Sequence, residues 1–428
     1  MGTSKSKDLI AAASVPLIMT LGNSMLIPVL PSLQKELHVN SLQISLLITV
    51  YSIVAIVLIP LAGYLSDRFG RKKIMIPSLI VTGIGGLLCG SASWFAGDFT
   101  YQMILIGRFV QGIGAAGAAP IVMPLVGDMY KSEREVSGAL GIIETSNTFG
   151  KVLSPILGSL LALWTWYAVF LSIPVLSLAS VLLVAFLIRV PTKDQDAKQQ
   201  QPGFRSFLSS LAGIARQEGR WLAAIFAIGA TAMLVLFGIL FYLSNVLEEL
   251  FNIHGVAKGA LLAIPLSALC LSSFLTGKWI GESKMRMKWI SVAGLFLLAA
   301  SLVGIAWIGT NPLWLLFVLV GTGGVGIGSA LPCMDALITE GICKEQRGTV
   351  TSLYSSMRFI GVALGPPLVS IGMVRFPQFL FYGLSALAVL ALLYGIYAVK
   401  PEKSQASPAS TSSGKAAEPE LPKGSNPA

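Results

Sequence analysis

Twelve long apolar runs, near residues 9–31, 42–65, 74–95, 101–127, 137–163, 166–188, 221–246, 257–280, 289–309, 312–335, 350–374 and 378–399, recur along almost the whole chain. Each approaches or exceeds the ~18 to 20 residues that a helix needs to cross the hydrocarbon core of a bilayer. Composition points the same way: 54% of the 428 residues are hydrophobic and 12% charged, against roughly a quarter charged in soluble domains. The chain therefore reads as an all-α integral membrane protein of twelve transmembrane helices. The first run is longer than the ~7 to 15 residue core of a secretory signal and contains Pro16 and Pro28, so a retained first span is expected.

A net charge of +10 raises the question of a nucleic-acid partner, and the positions of the thirty Lys and Arg residues decide it. With the N-terminus in the cytoplasm, the outside loops hold Lys35, Lys258 and Arg375, and the spans hold Arg108, Lys151 and Arg358. The other 24, Arg68, Arg71, Lys72, Lys73, Lys131, Arg134, Lys284, Arg286 and Lys288 among them, fall in inside loops and tails. That asymmetry follows the positive-inside rule and predicts a multi-pass protein of the cytoplasmic membrane with both termini inside. The basic residues are topological; no nucleic acid is expected, and the lipid bilayer is the surrounding partner. The four cysteines, Cys89, Cys270, Cys333 and Cys343, lack the close spacing of metal sites and read as small buried residues.

The longest polar break, 189–220, contains PTKDQDAKQQQPG and then the amphipathic FRSFLSSLAGIARQ. It predicts a cytoplasmic linker between an N-terminal six-helix bundle, 1–188, and a C-terminal one, 221–399. Residues 400–428, rich in Pro, Ser and Ala without apolar periodicity, are expected to form a disordered cytoplasmic tail. The halves repeat: span five carries GKVLSPILGS from Gly150 and span eleven GVALGPPLVS from Gly361, a shared Gly-x-x-x-small-Pro spacing. Weak internal repeats of this kind mark secondary transporters.

After span two the chain reads GYLSDRFGRKK, Gly63 to Lys73, which closely resembles the cytoplasmic signature of the major facilitator superfamily. Gly63 permits close helix contact, Gly70 makes the turn, and Asp67 and Arg68 are placed for charge-assisted bonds to a neighbouring helix end. By resemblance, Gly63, Asp67, Arg68, Gly70 and Arg71 form a latch between the halves. Asp128, Glu133, Arg134 and Gly138 resemble the acidic and arginine-bearing connection that follows span four, so Asp128 and Arg134 join the latch; a wet surface salt-bridge cluster explains them equally well. ILIGRFVQGIGAAGAAP in span four resembles the family's motif through Arg108, Gln111, Gly112 and Gly114, in which the arginine is associated with proton coupling. LGNSMLIPVLP, Leu21 to Pro31, is similar to a span-one signature of twelve-span drug:proton antiporters. Gly150, Ser154, Pro155, Gly158 and Ser159 resemble their span-five motif, from which this chain departs at both serines and in placing Lys151 inside it. Gly112, Gly114, Gly150, Ser154, Pro155 and Gly158 are expected to pack helices closely.

Charges inside spans are costly and are functional candidates by default. At 100° per residue Glu144, Asn147, Thr148 and Lys151 share one face of span five, beside a stripe of small residues. Seven residues of helix rise ~10.5 Å, so Glu144 and Lys151 do not pair directly. Arg108 is a candidate partner for Glu144 or for a ligand. A proton-driven exporter needs a group that takes up a proton in one state and releases it in another. Glu144 is the first candidate, Lys151 the rival, with Arg108 in the same set; a fixed polar network of the three is the other reading. The expected substrate-binding set is Asn23, Tyr51, Arg108, Glu144, Asn147, Lys151, Phe237, Phe241 and Arg358, with Tyr242 beside them; Arg358 stands at the repeat position of Asn147.

GTGGVGIGSALP in span ten resembles a dinucleotide loop but lacks a preceding strand, so it reads as helix packing. The two histidines, His38 and His254, lie in outside loops; no metal site, cofactor or enzymatic triad is expected, and the proton gradient is the expected energy source. The main expectation is a monomeric proton antiporter exporting small amphipathic molecules such as drugs by alternating access. The alternative is a dedicated exporter of a secreted anionic metabolite such as a siderophore, motivated by Lys151, Arg108 and Arg358. A non-transporting receptor or scaffold is the third reading.

Overall fold

The computed structural model describes residues 3–130, 133–188, 219–280, 283–342 and 344–399. Of the expected linker over 189–220, residues 189–218 with the amphipathic stretch lie outside the described residues, as do the expected tail over 400–428 and the side chains of Arg134 and Glu133. Fourteen α-helices are described: α1 Thr3–Ser24, α2 Leu30–Glu36, α3 Ser41–Phe69, α4 Arg71–Phe95, α5 Thr100–Ala116, α6 Ala119–Met129, α7 Glu133–Ala162, α8 Ala168–Leu187, α9 Gly219–Glu249, α10 Gly255–Trp279, α11 Lys284–Ile308, α12 Leu313–Gly341, α13 Lys344–Arg375 and α14 Leu380–Ala398.

Two crossings are broken. Span one is α1, a 3₁₀ turn at Ile27–Val29 with Pro28 at its start, and α2 with Pro31 in its first turn. Span four is α5 and α6, with Pro120 in the first turn of α6. Proline has no N–H to give the preceding turn but suits the first turn of a new helix, so each proline restarts the helix instead of ending the span. Among the described residues eleven crossings are long and apolar enough to cross a membrane. The twelfth, α7, is 30 residues long and carries Glu144, Asn147, Thr148 and Lys151, polar residues that interrupt its apolar run.

The halves pack alike. α1 lies on α7 as α9 lies on α13, α4 on α5 as α11 on α12, and α4 on α8 as α11 on α14. Between hydrocarbon and helix there is little hydrophobic driving force, so close van der Waals approach holds such pairs together. A Cβ at Gly158 of α7 would overlap the Met25 carbonyl oxygen of span one, and one at Gly361 of α13 the Ala230 carbonyl oxygen of α9. Gly150 approaches Leu17 in the same contact, while Gly112 abuts Tyr51 and Gly114 abuts Ser78 and Thr82. Each half also ties one helix end down with a lysine: Lys72 Nζ donates to the Ala185 and Ile188 carbonyls at the end of α8, at 2.6 and 3.0 Å. Lys288 Nζ donates to the Ile396 carbonyl in the last turn of α14 at 2.8 Å. Both cations sit where the helix dipole is negative.

The halves meet along two seams related by the repeat, α3 against α13 and α7 against α10. In the second seam the Pro155 carbonyl and Ser159 face Gly259, so the small-residue stripe of α7 serves both its own half and the other.

Candidate functional site

At the centre of the interface stands a chain of charges. Arg358 of α13 places Nη2 3.8 Å from Glu144 Oε1 in α7 and Nη1 3.7 Å from Asp335 Oδ1 in α12. These separations are ion-pair contacts, longer than hydrogen bonds. The three side chains are 15%, 18% and 13% exposed for Glu144, Asp335 and Arg358, so water screens them poorly. Asn147 Nδ2 donates to both Glu144 oxygens at 3.3 Å, and Asn147 Oδ1 accepts from Thr20 of α1 at 2.5 Å. Asn147 and Arg358, which occupy matching places in the repeat, thus converge on one carboxylate. Tyr354, one turn before Arg358, lies under the guanidinium at 5.7 Å and stacks on Phe226. Its hydroxyl is buried without a hydrogen-bond partner among the described residues.

Lys151 lies two turns along α7 from Glu144, 6% exposed, and its Nζ has no hydrogen-bond partner among the described residues. It lines a narrow pocket between the halves, with Ser24 and Ser154 from the first and Phe237, Leu240 and Leu266 from the second. Phe241 instead points into the apolar cluster joining the halves, fully buried, and Tyr242 packs edge-on against Phe381 at 4.8 Å. Of the aromatic residues expected at a cavity, Phe237 alone lines this pocket.

Arg108 is placed differently from the expectation that it serves Glu144 or a ligand. Its Nε donates to the Leu47 carbonyl at 2.7 Å, Nη1 to Gln111 Oε1 at 2.7 Å and Nη2 to Asn23 Oδ1 at 2.6 Å, with the Tyr51 ring 4.5 Å away. The side chain is 0% exposed. A guanidinium whose three nitrogens each donate to a neutral acceptor within its own half is a strut between spans one, two and four, and Asn23 and Tyr51 are its partners in that strut.

At the basic end of the bundle Gly70 takes φ +104° between α3 and α4, a conformation open to glycine. Arg71, and not Arg68, is the centre of the cluster. Arg71 Nη2 meets Asp67 at 2.5 Å, Nε meets Asp128 at 3.1 Å and Nη1 donates to Ser66 at 2.7 Å. Arg68 is exposed, reaching, among the described residues, the Tyr64 hydroxyl at 3.4 Å and the face of Phe69 at 5.7 Å. The helix restarts at Arg71, which turns that side chain inward toward α6 and leaves Arg68 on the outer face. Gly63 lies against Ser352 of α13, bringing the second half to this cluster.

Residues 13–366 and 246–424 match the family model of the Major Facilitator Superfamily. The chain belongs to the Major Facilitator Superfamily. It is 53% identical to the bacillibactin exporter of Bacillus subtilis (strain 168) over 381 residues, 89% of this chain and 93% of that one. It is 25% identical to the multidrug resistance protein MdtL of Salmonella dublin, over 76% of this chain and 79% of that one. The solved structure of the human organic anion transporter MFSD10 shares the fold with a TM-score of 0.73 at 17% identity, covering 92% of this chain and all of that one. This superfamily protein is therefore a multi-pass membrane transporter of a small-molecule substrate and not an enzyme.

Two parts of the transporter's polar interior were not nominated from the sequence. Asp335 reads as an end-of-span residue, yet α12 continues to Gly341, and the extra turn draws it inside. Glu248 sits in LEELFNIHGVAK, which looks like a wet loop, yet its side chain is 2% exposed and paired with Lys258, also 2% exposed. The ten-residue spacing of that pair across the turn between α9 and α10 is the sequence signal, one that only a folded hairpin of helices reveals.

Proposed function

We propose that this transporter exports a siderophore, or a closely similar anionic metabolite, in exchange for protons. The relative that is a bacillibactin exporter, 53% identical along 93% of its length, carries this reading. It favours the metabolite alternative over the broad drug export that the span-one and span-five signatures suggest, since the drug-resistance relative stands at 25%.

The site supplies a route to coupling. Glu144, Arg358 and Asp335 link the two halves through one guanidinium. A proton taken by Glu144 removes half of that link, and the halves then separate more easily at this point. The same proton removes an acceptor from any substrate hydroxyl bonded to Glu144, which makes proton and substrate compete as antiport requires. Alternating access follows as the halves rock about the α3–α13 and α7–α10 seams. The basic end, with Arg68, Arg71, Lys72 and Lys73, faces the cytoplasm.

Deleting the gene should leave the siderophore inside the cell and leave dye resistance unchanged. Inverted vesicles bearing the protein should accumulate it when a pH gradient, acid inside, is imposed. Dye resistance lost while siderophore secretion persists would return the reading to multidrug export.

A further inference from the structure

Among the described residues two lysines are buried within the bundle, and they are treated in opposite ways. Lys258 is 2% exposed and its ammonium is met by the Glu248 carboxylate. Lys151 is 6% exposed and its ammonium meets nothing among the described residues that accepts a hydrogen bond. An ammonium carries three donors and no acceptor, and a buried charge left unpaired is costly. The Lys258 pairing is what a lysine kept for architecture shows. Lys151 stands on a helix with Glu144 seven residues away, and ~10.5 Å of rise keeps that carboxylate out of reach. Asp335 is engaged with Arg358.

The surroundings of Lys151 are as informative as its solitude. Ser24 and Ser154 flank it from the first half, and the Ser154 hydroxyl is turned away, donating to the Lys151 carbonyl at 2.9 Å. Facing it across the interface are Phe237, Leu240 and Leu266. A compact, strongly hydrated inorganic anion gains nothing from that wall. An organic anion with an apolar or aromatic body fills both sides at once: its charge on the ammonium, its body on the second half.

We propose that Lys151 is the specificity-determining residue of the transport site, binding a deprotonated oxygen of an amphiphilic organic anion whose apolar face lies on Phe237, Leu240 and Leu266. This rests on the reading of the interface as the transport site given above, and assigns the selection of the anion to one residue and one apolar wall. In the present conformation the halves meet on both sides of the pocket, through Ser41 and Ser370 at one end and Gly63 and Ser352 at the other, so the pocket is narrow until they part. Lys151 and Glu144 divide the work: the lysine fixes the substrate's charge, and the carboxylate two turns away is free to exchange a hydroxyl contact for a proton.

The test is equilibrium binding of 1-naphthoate and its uncharged isostere 1-naphthamide to the purified full-length protein in nanodiscs. Wild type should prefer the anion by about 10- to 100-fold, the range of a charge-assisted hydrogen bond. Lys151→Met should bind the two alike, and Lys151→Arg should restore the preference; equal thermal midpoints establish that the variants are folded. Equal affinity of wild type for the two probes, no measurable binding of naphthoate, or an unchanged preference in Lys151→Met overturns the proposal. The assay uses neither siderophore nor pH gradient. An anion preference lost in Lys151→Met, with siderophore secretion intact after gene deletion, upholds the lysine and removes only the siderophore.

Discussion

Lys35 of the first half reaches across to Glu248 of the second, Nζ to Oε1 3.1 Å, at the end of the bundle remote from the basic loops. Glu248 also holds Lys258 within its own half, so one carboxylate carries two cations of unequal standing: Lys35 is 64% exposed and Lys258 2%. Glu248→Gln leaves the Lys258 ammonium buried and unpaired and should destabilise the protein by ~3–5 kcal/mol. Lys35→Met removes an exposed partner and should change stability by less than ~1 kcal/mol. Thermal unfolding of the detergent-purified variants measures both, and equal losses would show that the pair across the halves, not the buried one, does the holding.

Arg68 and Arg71 look interchangeable in GYLSDRFGRKK, and the fold separates them. Arg71 bridges Asp67 and Asp128 while Arg68 is turned to solvent. Arg71→Gln should lower transport at least ~10-fold, in keeping with the loss of a hydrogen-bonded ion pair, whereas Arg68→Gln should stay within about twofold. Vesicle transport rates on matched amounts of protein decide it, and a larger loss for Arg68→Gln reverses the assignment.

That contrast shows what was legible beforehand. Run length sets a membrane crossing, so the twelve spans and their repeat were readable, and Lys151 stood out because a charge in an apolar run is visible on its own. Partners were not. Arg108 looked like a free cation because nothing in ILIGRFVQGIG shows that the Leu47 carbonyl and Asn23 amide come to it from spans two and one. Asp335 and Glu144 are 191 positions apart in sequence, and only the docking of the two halves along the α3–α13 and α7–α10 seams brings Arg358 to both.

Arg108 as a strut makes its own prediction. Arg108→Ala leaves the Leu47, Gln111 and Asn23 oxygens without their donor, at ~1–3 kcal/mol for each acceptor left buried and unsatisfied. The protein should unfold at lower temperature and reach the membrane in smaller amounts. Whatever folded protein is recovered should keep its proton-to-substrate ratio, which a changed ratio in reconstituted vesicles would contradict.

Gly158 and Gly141 lie on the same helix in unlike settings. A Cβ at Gly158 would overlap the Met25 carbonyl, while one at Gly141 would meet nothing within 4 Å. Gly158→Ala should therefore destabilise by ~1–3 kcal/mol through forced separation of α7 from span one. Gly141→Ala should be neutral or stabilising by up to ~1 kcal/mol, the helix-propensity gain. The difference in thermal midpoint between the two single variants reads the effect directly.

The carboxylates beside Arg358 differ in what else holds them. Glu144 accepts from Asn147, which is fixed in turn by Thr20 of α1, so a proton on Glu144 alters contacts in both halves. Asp335 and Arg358 belong to the same half. If Glu144 carries the coupling proton, Glu144→Gln should abolish gradient-driven accumulation while leaving substrate exchange between two equal pools running, because exchange needs binding and rocking but no net protonation. Asp335→Asn should slow both processes together, since it loosens Arg358 without removing the proton site. Paired measurements of accumulation and exchange in the same vesicles separate the two. Exchange kept and accumulation lost in Asp335→Asn, with Glu144→Gln slowed in both, would move the coupling proton from the first half to the second.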